Sequence, residues 1–160
     1  MKYVANLKKD ELSSLLNKYG IELILLSDME NIPGSYWGAP EAGIIKNQLY
    51  VRSDTPVHSA LHESCHFICM DDKRRQTLHT DTGGDYDEEN AVCYLQIILA
   101  DFLSGIGRHC LCEDMDEWGY TFRLGSAKKW FDSDAEDALQ WLISRQLLSN
   151  DKIPTWIVNN

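Results

Sequence analysis

The stretch Thr55-Pro56-Val57-His58-Ser59-Ala60-Leu61-His62-Glu63-Ser64-Cys65-His66-Phe67-Ile68-Cys69-Met70 decides the reading of this chain. It contains His62-Glu63-Ser64-Cys65-His66, the pattern H-E-x-x-H. On a helix, side chains four apart share a face, with Cβ atoms about 5–6 Å apart. Two imidazoles at that spacing can close on one metal ion at about 2.0–2.1 Å each. Glu63 follows the first histidine and so stands beside such an ion rather than on it. That is the place of a general base for an attacking water. The flanks favour a helix: Thr55 is a suitable N-cap, Pro56 suits the first helical position, and no glycine or further proline interrupts through Met70. Ala60, Leu61, Cys65, Phe67, Ile68 and Cys69 make the helix mostly apolar and therefore buried. Polar groups on a buried helix need partners. A metal supplies one for the histidines; ordinary hydrogen bonds are the competing explanation.

Outward from this stretch, the bulk properties narrow the class. The chain has 160 residues, 44% hydrophobic and 25% charged, which fits one domain, residues 1–160, with a real core. No apolar run approaches the length of a membrane span. The start, Met1-Lys2-Tyr3-Val4-Ala5-Asn6-Leu7-Lys8-Lys9, lacks the apolar core of a signal peptide. Five cysteines, an odd number without a secretion signal, point to free thiols in a reducing cytoplasm. A formal charge of −10 argues against nucleic acid as a partner. It permits a cationic ligand but serves solubility equally well.

Before the motif, leucines at helical spacing predict a helix over 6–19 ended by Gly20, then a short strand over 21–26. Residues 27–42 hold Pro33, Gly34, Gly38 and Pro40 and read as a loop, with Tyr36 and Trp37 either lining a cleft or plugging a core edge. Segments 43–46 and 49–52 predict a β-hairpin, whose second strand is placed to offer a free edge to an extended peptide. After the motif, 71–85 reads as a long loop and 86–104 as a second strong helix. Further on, short helical segments are expected at 113–118 and 126–131, with strand or coil at 120–124. A capping box at Ser133-Asp134-Ala135-Glu136 opens a helix to about Leu148. Residues 153–158 form a docking tail. The fold class is α+β: a small, mostly antiparallel sheet against the H-E-x-x-H helix and a ligand-bearing second helix, followed by C-terminal helices.

A two-histidine site needs a third ligand, and the second helix opens Asp85-Tyr86-Asp87-Glu88-Glu89-Asn90-Ala91. From Glu88 the helical stripe runs through Ala91, Val92, Leu95, Ile98, Leu99 and Phe102, entirely apolar, so Glu88 tops the inward face. Glu89 heads a more mixed stripe through Cys93 and Gln96. Periodicity favours Glu88 over Glu89 as the ligand. Both glutamates also suit the helix dipole as first-turn acids.

This arrangement resembles the glutamate-zincin metallopeptidases, in which a second helix carries E-x-x-A after the H-E-x-x-H helix. Glu88-Glu89-Asn90-Ala91 matches that pattern. The region 43–104 is similar to the small intracellular IrrE/ImmA-type branch. The resemblance implies a zinc peptidase acting on a peptide or protein, with His62, His66 and Glu88 on the metal and Glu63 as general base. Val92 stands where that family carries Asp or Asn to orient a metal histidine; Asp81, Asp85 or Asn90 are left for that part. A second resemblance, over Ser59-Ala60-Leu61-His62-Glu63, His66-Phe67 and Arg74-Arg75, is to the elongation factor P hydroxylase family. That one implies an iron-dependent hydroxylase of a protein side chain. Two histidines and a carboxylate suit zinc and non-haem iron alike. A third reading, from outside enzymology, is an inactive domain that keeps its metal and binds a partner.

His58 lies one turn before His62 on the same face and is a candidate outer partner or proton carrier. His79 and Asp81, in the loop between the two helices, are candidates to stabilise an oxyanion, orient a ligand or serve as an alternative third ligand. Tyr86 and Tyr120 are candidate oxyanion donors, with core packing the default. His109-Cys110-Leu111-Cys112 lacks the paired spacing of a second metal site. Substrate identity and oligomeric state are not legible in the sequence.

Overall fold

In the computed structural model, which describes residues 1–160, the chain is α+β. Its centre is a helix that is apolar nearly all round. This helix, α4 (Tyr86–Ala100), is buried continuously from Ala91 to Ala100. A helix with no polar face must be covered on every side. The motif helix α2 (Val57–Cys69) covers one side, and α5 (Gly107–Trp118) and α7 (Glu136–Ser144) cover others. No helix is long and apolar enough to cross a membrane.

On its other face α2 meets a three-stranded sheet of β1 (Glu22–Leu25), β2 (Gly43–Ile45) and β3 (Gln48–Val51), in the order β1-β3-β2. Ile44, Leu49 and Val51 supply its fully buried side chains. The expected hairpin is present, with Ile44 opposite Leu49. The sheet is mixed rather than mostly antiparallel, because β1 pairs parallel to β3, Leu23 beside Leu49. The long connection 26–42 carries the chain back across the sheet before the hairpin, so β1 and β3 run the same way. Consequently β3 is central and has no free edge for a peptide. The outer side of β2 is partly taken too: Lys46 N–H donates to Leu78 and Thr80 N–H to Ile44. Gly43 is required at the start of β2, since a Cβ there would lie 1.9 Å from the Pro33 carbonyl oxygen.

Several boundaries move. Helix α1 is only Glu11–Asn17, preceded by a 3-10 turn at Val4–Asn6. Pro56, not Thr55, caps α2; the Thr55 hydroxyl instead accepts from Arg52 N–H at 2.9 Å. The 71–85 segment is not all loop, because Asp71 accepts from Arg74 N–H and opens α3 (Asp72–Gln76). Helix α5 starts at Gly107, earlier than expected, while 120–124 takes the coil of the two forms expected there. Ser126 caps α6 (Ala127–Ser133). Ser133 therefore closes one helix rather than capping the next, and α7 starts at Glu136 without a side-chain cap. The tail docks: Asn159 N–H donates to the Ile68 carbonyl, and Trp156 packs against Tyr19 and Phe102.

Candidate metal centre

Helical spacing on α2 puts both motif imidazoles on the face turned to α4. Their Nε2 atoms are 3.2 Å apart. The carboxylate that α4 brings to them belongs to Glu89. One of its oxygens lies 3.1 Å from His62 Nε2 and the other 3.1 Å from His66 Nε2. A tetrahedral ion bound at about 2.0–2.1 Å holds its donors roughly 3.3 Å apart. The triangle is thus close to the size one such ion needs.

The hydrogen bonds behind the triangle make the fit more specific. Gln96 donates its amide N–H to the His58 carbonyl at 3.3 Å, leaving Oε1 for His62 Nδ1 at 2.7 Å. His62 therefore carries its proton on Nδ1, and its Nε2 turns a lone pair toward the Glu89 oxygen. Two acceptors at 3.1 Å repel unless a proton or a cation sits between them. Without a metal the site answers with protons. Burial works to lower the pKa of His62, but Tyr120, Cys93 and Glu89 outweigh it and hold the ring well above its ordinary value. At Glu89, burial works upward and is outweighed by the hydrogen bonds from His62 and His66, which hold the carboxyl well below the usual range. A dication would take the place of those protons. His66 Nδ1, by contrast, is buried without a partner.

Glu88 is not the third donor, which corrects the periodicity argument. It is buried as that argument requires, but its oxygens take a two-pronged ion pair from Arg74, each at 2.8 Å. Arg74 also donates to the Thr82 carbonyl at 2.5 Å. The pair thereby fixes the turn at Gly83-Gly84, where Gly84 has φ +96° and a Cβ would lie 2.1 Å from Glu88 Oε2. Nor do Asp81, Asp85 or Asn90 orient His62. Gln96 does so, one turn beyond Val92. The Glu89–Cys93–Gln96 stripe was visible in the sequence; its polarity at both ends, on an otherwise apolar helix, was the signal.

Glu63 stands beside the triangle without being tied to either imidazole. Burial pushes its pKa up to about 7; His62 works against that, while Glu41 and Glu89 add to it. A carboxyl poised there can accept a proton near neutrality.

Two hollows meet at the triangle, of about 290 and 320 Å³, and share Trp37, His62, Glu63 and Glu89. Together they make one cleft with a lobe on either side. Trp37 is 78% exposed and so lines the cleft rather than plugging the core. The first lobe is completed by Glu41, His58, Ser59 and the end of α5 at Trp118–Tyr120. The second is completed by Tyr36, His66 and the turn Thr80–Gly84.

The other expected residues divide accordingly. His58 is in the wall of the first lobe, its Nδ1 3.1 Å from the Tyr120 hydroxyl, and burial lowers its pKa to about 3. It is a neutral ring there near neutrality. Tyr120 lines the lobe, with burial raising its pKa to about 12. Asp81 reaches the second lobe but accepts from Gly83 N–H at 2.9 Å. His79 is exposed and bonded to Thr80. Tyr86 is 79% exposed and borders a separate groove with Asp87 and Arg123, so it is no oxyanion donor for this cleft. His109 pairs with Glu113 on the surface, apart from any second cluster of metal donors. Comparison with protein-family models, curated proteins and solved structures finds no match to this chain.

Proposed function

We propose that His62, His66 and Glu89 hold one divalent metal ion, read as zinc, and that the chain hydrolyses a peptide bond in a peptide or protein substrate. The observation that carries the reading is Glu63. A half-buried carboxylate with no ion-pair partner, beside the donor triangle and lining both lobes where they meet, is what a hydrolase needs. A metal kept only for structure, or an iron site for hydroxylation, gives no comparable use to that side chain.

When bound, the ion lowers the pKa of a water and polarises a carbonyl. The residues of the chain do the rest. Glu63 takes the proton of the attacking water and returns it to the departing amine. Gln96 keeps His62 in the tautomer whose Nε2 lone pair faces the site. The two lobes give the chain of the substrate a place on each side of the bond to be cut.

The experiment compares the zinc-loaded protein with Glu63→Gln on a mixture of peptides. Hydrolysis is expected to fall by at least about a hundredfold with zinc content unchanged. Equal hydrolysis by the variant, or none by the parent, overturns the peptidase reading. Iron in protein purified without added metal favours the hydroxylase instead.

A further inference from the structure

We propose that the lobe between Trp37 and Trp118 seats a cationic nitrogen of the substrate, either a lysine or arginine side chain or a free amino terminus, with the Glu41 carboxylate as its counter-ion. In naming a peptide as the ligand, the proposal rests on the reading given above.

Glu41 lies in the loop before β2 and is only 7% exposed. Burial pushes the Glu41 pKa up, with Ser59 and His62 working against it, and Oε1 is buried with no partner. Other buried acids of the chain are matched. Glu88 has Arg74, and Asp114 has the Met1 ammonium and the Lys2 N–H. An unpaired buried carboxylate is costly, and the cost is recovered when a cation arrives. Glu41 is also separate from the donor triangle, so a metal there does not take up its oxygens.

The rest of the lobe agrees. Of its three acids, Glu89 is given to the metal and Glu63 to the reaction, which leaves Glu41, and no lysine or arginine is among the lining residues. Trp118, 47% exposed, lines the lobe together with the still more exposed Trp37. Indole faces attract ammonium and guanidinium groups. The chain uses that attraction elsewhere: Lys18 lies 4.2 Å from the Trp156 ring and Arg145 lies 3.7 Å from that of Trp141. His58, in the same wall, is neutral and offers no competing charge. The second lobe differs. The acid it adds, Asp81, is already engaged by a backbone N–H.

The test titrates the zinc-loaded protein with N-acetyl-arginine amide, norleucine amide and N-acetyl-norleucine amide, following the indole N–H resonances of Trp37 and Trp118. At least one cationic probe is expected to bind about tenfold or more tighter than the neutral N-acetyl-norleucine amide. Glu41→Gln is expected to erase that preference with zinc content unchanged. Preference for N-acetyl-arginine amide identifies a side chain as the source, and preference for norleucine amide an amino terminus. Equal binding of neutral and cationic probes overturns the proposal, as does a preference that survives in Glu41→Gln. In a parallel digestion of mixed peptides, cleavage indifferent to basic residues and to free amino termini overturns the proposal while sparing the peptidase reading. Absence of cleavage alongside Glu41-dependent cation binding overturns the peptidase reading while sparing the pocket.

Discussion

Glu88 and Glu89 are neighbours on α4, about 100° apart around its axis. Glu88 points into the protein and meets the Arg74 guanidinium. Glu89 points along the boundary of core and cleft, 47% exposed at its side chain, and meets two imidazoles. The more deeply buried of the two is thus the structural one. A guanidinium satisfies a carboxylate on a two-pronged hydrogen-bonding plane and closes it off. A metal ligand for chemistry must instead border an open space where a substrate can approach. Depth of burial and suitability for a reactive site therefore part company at adjacent residues.

The sharpest way to break the comparison is to exchange the two losses. Glu89→Ala removes a donor from the triangle, and zinc affinity is expected to fall by about a thousandfold or more in a competition titration with a chromogenic chelator. Glu88→Gln is expected to leave zinc affinity within about threefold. A large loss in the second variant and none in the first would reverse the roles of the two residues. Gln96→Leu comes next in size. It leaves His62 Nδ1 without its acceptor, and affinity is expected to fall by roughly 10–100-fold in the same titration. An unchanged affinity would mean that the ring is oriented by packing alone.

The smallest effects belong to stability. Glu88→Gln weakens a charge-assisted pair whose arginine is 32% exposed at its side chain, a loss of about 1–2 kcal/mol. For a chain of this size that is roughly 2–8 °C in thermal midpoint. Gly84→Ala acts on the same pair from the other side, by strain at φ +96° and collision with Glu88 Oε2, and is expected to cost a similar amount. Midpoints unmoved in both variants would remove the Arg74–Glu88 pair from the account of how the Thr80–Gly84 turn is held.

The same contrast explains what could be read beforehand. The motif helix, the hairpin and the all-apolar run of α4 were legible because periodicity reports burial, and these elements are ordered by burial. Periodicity also identified Glu88 as inward-facing. It could not say that Arg74, fourteen residues earlier on α3, would reach that position, because the pairing depends on tertiary placement rather than on any local pattern. The parallel pairing of β1 with β3 was hidden for a related reason, since it is fixed by where the 26–42 connection leads rather than by any local pattern. Glu41 and Trp37 carry no helical or strand signal at all; their meeting with Trp118 is a product of tertiary packing. Ser133 shows the opposite failure. It heads a sound capping pattern, but the turn of helix before it was already ordered by Ser126 and by burial of Trp130.

The most direct measurement is a crystal structure of the protein with zinc, using anomalous scattering at the zinc edge. One strong peak per chain is expected, about 2.0–2.2 Å from His62 Nε2, His66 Nε2 and a Glu89 oxygen, with Glu88 still on Arg74. No peak between the two imidazoles, or a peak that draws Glu88 away from Arg74 and leaves Glu89 free, would contradict the account.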